Sequence, residues 1–189
     1  QQELACFYAC LALMLEETFM PGAGRRALGL SEDSPLSIDA IDVDETFIGV
    51  HLPAWHKYAF EGVISAGFDL RFQEESEGPW ERLCDLVEVY SDRNTYIDWC
   101  WLGVSGRSMN EHLGLSELVD RMSARSLLDG GDALSLKDLA VLAEMNERSV
   151  RNATNAKDGS YLALNSEGKV DNQVAKEWLH QRRGFTATK

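Results

Sequence analysis

Apolar residues recur along much of this chain at intervals of three and four, the spacing of helices that bury one face. The exception comes first: Leu4 to Leu15 is an unbroken run of twelve apolar residues. A helix there is apolar around most of its circumference, which predicts a central core helix or the buried seam of a homodimer. Pro21-Gly22-Ala23-Gly24 stops it, and the polar stretch Ser31 to Ser34 reads as loop. Residues 36–50 fit neither a helical nor a strand period, because Asp39, Asp42, Asp44 and Glu45 interrupt Ile38, Ile41, Val43 and Phe47. From Pro53 the period returns. Trp55, Tyr58, Ala59, Val63 and Ala66 predict an amphipathic helix ending near Gly67, and Trp80, Leu83, Cys84, Val87 and Tyr90 a second one opening after Gly78-Pro79. Ile97 to Val104 is a helix or a buried strand. Leu115, Leu118, Val119 and Met122 predict another helix, stopping before Gly130-Gly131. The fold class expected is mainly α: an acidic helical bundle over 1–130, a glycine hinge, and a smaller domain over 131–189.

Composition is that of a globular chain: 189 residues, 44% hydrophobic and 26% charged, enough to bury a core without metal or disulfide staples. The formal net charge of −13 speaks against a protein that coats nucleic acid or anionic membrane. Division after Gly130 changes that picture. Residues 1–130 carry 9 basic and 23 acidic side chains, net −14, whereas 131–189 carry 9 basic and 8 acidic, net +1. The C-terminal part can therefore meet a polyanion that the rest would repel.

The run Leu4 to Leu15 is too short to span a membrane, and its flanks Gln1, Gln2, Glu3, Glu16 and Glu17 give it no basic leader. No membrane partner is expected. The first residue is Gln1 and not Met, so a few residues are expected to precede this numbering. Cys6, Cys10, Cys84 and Cys100 are too few and scattered for a disulfide scaffold, which points to a reducing cytoplasm, with Cys6 and Cys10 as buried thiols.

The segment from Ser135 to Ala153 is the most specific. Ser135 with Asp138 three residues on makes a capping box for a first short helix, whose inner face is Leu139, Ala140 and Ala143. Met145 plugs a corner, Asn146 caps a second helix, and Val150 and Ala153 form its inner face. Arg148, Ser149, Arg151, Asn152 and Asn155 remain outside. After the break at Lys157-Asp158-Gly159, Tyr161 to Leu164 and Lys169-Val170 predict two short strands around the turn Asn165-Ser166-Glu167-Gly168. Asp171 then caps a helix with an apolar stripe of Val174, Ala175, Trp178 and Leu179. Gln181-Arg182-Arg183 closes it, the two arginines serving either the helix dipole or a phosphate.

The pair of helices resembles the helix-turn-helix of DNA-binding transcriptional regulators and of phage and plasmid proteins. With its hairpin and Trp-bearing helix, the C-terminal segment is similar to the winged helices of excisionase and MerR-type regulators and of phage terminase small subunits. The resemblance implies that the helix around 147–155 lies in the major groove of double-stranded DNA, with Arg148, Ser149, Arg151 and Asn152 facing it. Asn155 shares that outer surface, and Lys137, Arg148, Arg151, Lys157 and Lys169 would meet phosphates. It also implies a homodimer reading two half-sites. One departure stands out: where the family has Gly at the corner, this chain has Glu144, in a left-handed conformation that costs about 1 kcal/mol without Gly.

The competing expectation is an acidic protein–protein interaction module that binds no DNA, in which the C-terminal bundle and the acidic surface both engage proteins, the acidic face holding a basic partner or mimicking DNA. Tyr96, Trp99 and Trp101 are core or the lining of a ligand pocket. No enzyme, catalytic residue, cofactor or metal site is expected. His51 and His56 are five apart with Pro53 between them, His112 and His180 are isolated, and Ser105-Gly106-Arg107-Ser108 lacks the Gly-x-Ser-x-Gly pattern.

Overall fold

The computed structural model describes residues 5, 8–9, 11–12, 15–16, 19–31, 33, 38–46, 48–65, 68, 79–91, 114–155 and 161–189. It is mainly helical. The chain divides into two compact units: Gln1–Leu52 with Ser76–Leu115, and Pro53–Glu75 with Ser116–Lys189.

In the first unit, the described positions between 5 and 16 are helical, as the apolar run predicts, with Ala5, Ala9 and Ala12 buried along one stripe. Helix α1 (Ala23–Ala27) follows, and Arg25 pairs with Glu16. Residues 36–50 show why they fit neither period: three separate 3-10 turns, Ile38–Ala40, Val43–Glu45 and Gly49–His51, occupy most of the stretch. Helix α2 (Leu52–His56) opens on the last residue of this unit's first segment, Leu52, and α3 (Pro79–Ser91) buries Leu83 and Val87. Cys84 is a free thiol on α3, and partial burial with Glu81 and Asp85 nearby pushes it up to about 11, so it stays protonated. Cys6, Cys10, Cys100, Tyr96, Trp99, Trp101, Ser105 to Ser108 and His112 lie outside the described residues. Among those described, no helix is long and apolar enough to cross a membrane.

The second unit begins at Pro53 inside α2, which loosens into a π turn, Lys57–Glu61, that stops at Gly62. The helix expected to reach Gly67 stops there because Gly62 is left-handed (φ 66°) and its carbonyl accepts the amide of Lys189 at 2.8 Å. A Cβ on Gly62 would lie 2.5 Å from the Ala187 carbonyl, so the C-terminal tail can run there only past a glycine. Helix α4 (Gly114–Gly130) supplies Ala124 and Leu128 to a core shared with α5 (Leu136–Leu142), α6 (Glu147–Ala153) and α7 (Asn172–Leu179). Leu134, Leu139, Val150, Leu162, Val170 and Leu179 are fully buried in it. The core around 131–189 thus reaches back across Gly130-Gly131 into α4.

The small β-hairpin wing predicted after the two helices is not formed: the described residues contain no strand or sheet. The turn is present. Asn165 closes it by accepting the amides of Glu167 and Lys169 on Oδ1, and its own amide donates to the Lys169 carbonyl at 2.7 Å. No ladder grows from it, because the flanking backbone groups are bound elsewhere. The Leu162 amide donates to Ala153 at the end of α6, and Val170 exchanges both bonds with Leu134 as an isolated antiparallel bridge. The buried positions 162 and 170 that imitate a hairpin register are two separate plugs in one helical core. Asp171 precedes α7 without a side-chain cap, its carboxylate accepting instead from Asn165 Nδ2. Asn172 Nδ2 donates to the Leu128 and Asp132 carbonyls, satisfying acceptors left open at the end of α4.

Candidate nucleic-acid interface

Helix α5 starts on the predicted capping box. The Asp138 amide donates to Ser135 Oγ at 3.1 Å and the Ser135 amide to Asp138 Oδ2 at 2.8 Å. Leu139, Ala140 and Ala143 are buried, and Met145, half-buried, donates its amide back to the Ala140 carbonyl. Asn146 caps α6, its Oδ1 accepting from both the amide and the hydroxyl of Ser149 at 2.8 and 2.9 Å. Val150 is fully buried and Ala153 partly so.

The corner between them is left-handed at Glu144 (φ 54°), the one non-glycine residue with positive φ among those described. Its carboxylate is turned toward α4, where it accepts from Arg121 at 3.1 Å. Arg121 also donates to Glu117 and lies 4.5 Å over the ring of Phe60. The acid at the corner thus shares one cation with Glu117. On the other side of the corner the chain after α7 presses in: a Cβ on Gly184 would stand 2.7 Å from the Ala143 carbonyl.

The outer face of α6 carries Arg148, Arg151 and Asn152, all exposed, with Ser149 half-buried beside them and Asn155 exposed in the turn that follows. Their states differ. Arg151 is bound to Glu147 one turn earlier, and Ser149 is committed to the cap. Arg148, Asn152 and Asn155 have side chains with no hydrogen bond or ion pair to other described residues. Lys137 is exposed on α5 and pairs with Asp120 at 2.9 Å, and Lys169 lies 3.8 Å from Glu167. Lys157 lies outside the described residues.

The pair Arg182-Arg183 is now divided. Arg182 stacks 4.1 Å over the Trp178 ring with its Nε buried, whereas Arg183 is exposed, next to the glycine that packs on the corner. Arg183 joins the cations available around the two helices.

The same compact unit holds a polar network that sequence reasoning missed. Arg125, 2% exposed on α4, donates Nε and Nη2 to the Ala59 carbonyl and Nη1 to Thr186 O at 2.7 Å. Burial lowers its affinity for its proton, and the Asp129 charge opposes that. Asp129 Oδ2 in turn accepts from Tyr58 and Thr188, each at 2.8 Å. Burial, then the bond to Asp129, raises the Tyr58 phenol well above its ordinary value. The available signal was Arg121 and Arg125 falling in the apolar stripe of Leu118, Met122 and Leu128, where a charge must find acceptors.

Among the described residues, no three His, Cys, Asp or Glu side chains group to hold a metal ion. No protein-family model, curated protein or solved structure matches the chain.

Proposed function

We propose that this protein binds double-stranded DNA through a helix-turn-helix made of α5 and α6, α6 entering the major groove, in a regulatory role without a catalytic step. The observation that carries this reading is the outer face of α6 and the turn that follows it: exposed, bearing Arg148, Asn152 and Asn155 without partners among the described residues, and held from behind by Val150 and two capped helix starts. An arginine fork and an asparagine amide match the acceptor and donor edges of guanine and adenine. Lys137, Arg151 and Lys169 are exposed and their ion pairs are each worth under about 1 kcal/mol, so phosphates compete for them with the carboxylates. Lys157 and Arg183 add to that set. A homodimer would present two copies of α6 to two half-sites. The scattered cysteines suit a reducing cytoplasm.

The second reading is an acidic protein-binding module, and one observation favours it. The first unit carries 5 Lys and Arg against 16 Asp and Glu, net −11, the second 13 against 15, net −2. A mobility-shift titration of the full chain against a mixed-sequence duplex at low salt, beside a pull-down from cell extract with and without nuclease, separates the two. Duplex binding and nuclease-sensitive capture support the first reading; a nuclease-resistant partner with no shift supports the second.

A further inference from the structure

Arg148, Ser149, Arg151 and Asn152 on α6, with Asn155 two residues past its end, do not form one uniform surface. At about 100° per residue, Arg148 and Asn152 each stand about 160° from the buried Val150, and Asn155 about 140°. They are the ridge of the helix farthest from the core. Arg151 and Ser149 stand about 100° from Val150, one on each flank. The chemistry follows the same division: the ridge side chains have no partners among the described residues, whereas the flanking ones are tied to Glu147 and Asn146. Glu147 adds a negative charge on the Arg151 flank, where base acceptors and phosphates would both be repelled unless the arginine covers it.

Building on the DNA-binding reading, we propose that base sequence is read by Arg148 and Asn152, with Asn155 at the end of the ridge, and that Arg151 and Ser149 take no part in that choice. Arg148 forks onto N7 and O6 of a guanine, and Asn152 pairs with N7 and N6 of an adenine. The two side chains are separated by four residues, about 6 Å of helix rise, and base pairs stack about 3.4 Å apart. The preferred duplex therefore carries a guanine and an adenine about two base pairs apart in the major groove. Arg151, on the flank, reaches the phosphate backbone and adds affinity without preference. Asn155 continues the ridge because its amide donates to the Asn152 carbonyl at 3.1 Å, which carries the helical turn one step past α6.

The test is selection of duplexes from a pool with randomised central positions, using the full chain and its Arg148→Ala, Asn152→Ala, Arg151→Ala and Ser149→Ala variants, each checked for an unchanged circular dichroism spectrum. The expected wild-type outcome is an enriched guanine and adenine at that spacing. Arg148→Ala erases the guanine preference and Asn152→Ala the adenine preference, each by about tenfold or more. Arg151→Ala weakens binding to all duplexes evenly and leaves the selected sequence as it was. The proposal is overturned if the wild type binds with no base preference, or if Arg151→Ala or Ser149→Ala removes a preference that Arg148→Ala and Asn152→Ala retain; the DNA-binding reading survives either result. Absence of duplex binding at low salt overturns both.

Discussion

Glu144 concentrates the competition between local strain and tertiary pairing. A left-handed backbone costs a non-glycine residue about 1 kcal/mol, and the half-exposed bond to Arg121 returns at most a similar amount. Glu144→Gly loses the bond and the strain together, so its stability should stay within about 1 kcal/mol of wild type, while Glu144→Ala loses the bond and keeps the strain. Urea unfolding should rank Gly above Ala by about 1 kcal/mol; equal midpoints would refute the account of the corner. Tyr58 offers a test with a pH axis. Its phenol in the fold holds a proton that the unfolded chain releases near its ordinary value of 10, so stability is complete below that pH and falls as pH rises past it. Tyr58→Phe should cost about 1 kcal/mol at neutral pH and flatten the alkaline decline, as read from thermal melts between neutral and strongly alkaline buffer. The corner and the caps at Ser135 and Asn146 were legible from residue types alone, since Ser, Asp and Asn at fixed offsets have a local purpose, whereas Asp171, expected to cap α7, accepts from Asn165 instead. The Arg125 network was not, because its acceptors at Ala59, Thr186 and Thr188 are about sixty residues distant in sequence.

At the scale of elements, local signals succeeded where a helix carries its own punctuation. Helices α5 and α6 begin on the caps that Ser135 and Asn146 announce, and the inner faces follow from spacing. Ser135→Ala should destabilise the second unit by about 1 kcal/mol, and Asn146→Ala by a similar amount, with a loss of helicity visible by circular dichroism. No change in either variant would mean that tertiary packing alone holds these helices. Pairing partners were not legible. The alternation around the turn at Asn165 looks like a hairpin, but whether Val170 pairs with Leu162 or Leu134 depends on where the core lies. The helix from Pro53 stops at Gly62 for a comparable reason: its carbonyl is bound by the tail, more than a hundred residues later. The apparent boundary at Gly130-Gly131 likewise marks the end of α4 and not the edge of its packing, since Ala124 and Leu128 share the core of α5 to α7.

For the whole molecule, the charge is partitioned: net −11 in one compact unit and net −2 in the other. The proposed DNA interface therefore works by a local patch and not by a general positive field, so affinity should be modest and sharply salt-dependent. Three or four phosphate contacts drawn from Lys137, Arg151, Lys157, Lys169 and Arg183 give a slope of about −2.7 to −3.6 for log affinity against log salt. The measurement that tests the central claim most directly is fluorescence anisotropy of a labelled duplex carrying the guanine and adenine enriched by selection, titrated with the full chain over a salt series, for wild type and the Arg148→Ala/Asn152→Ala double variant. The account predicts saturable wild-type binding at low salt with that slope, and a loss of about tenfold or more in the double variant at unchanged thermal stability. Wild type and double variant binding alike, or neither binding at low salt, would contradict it.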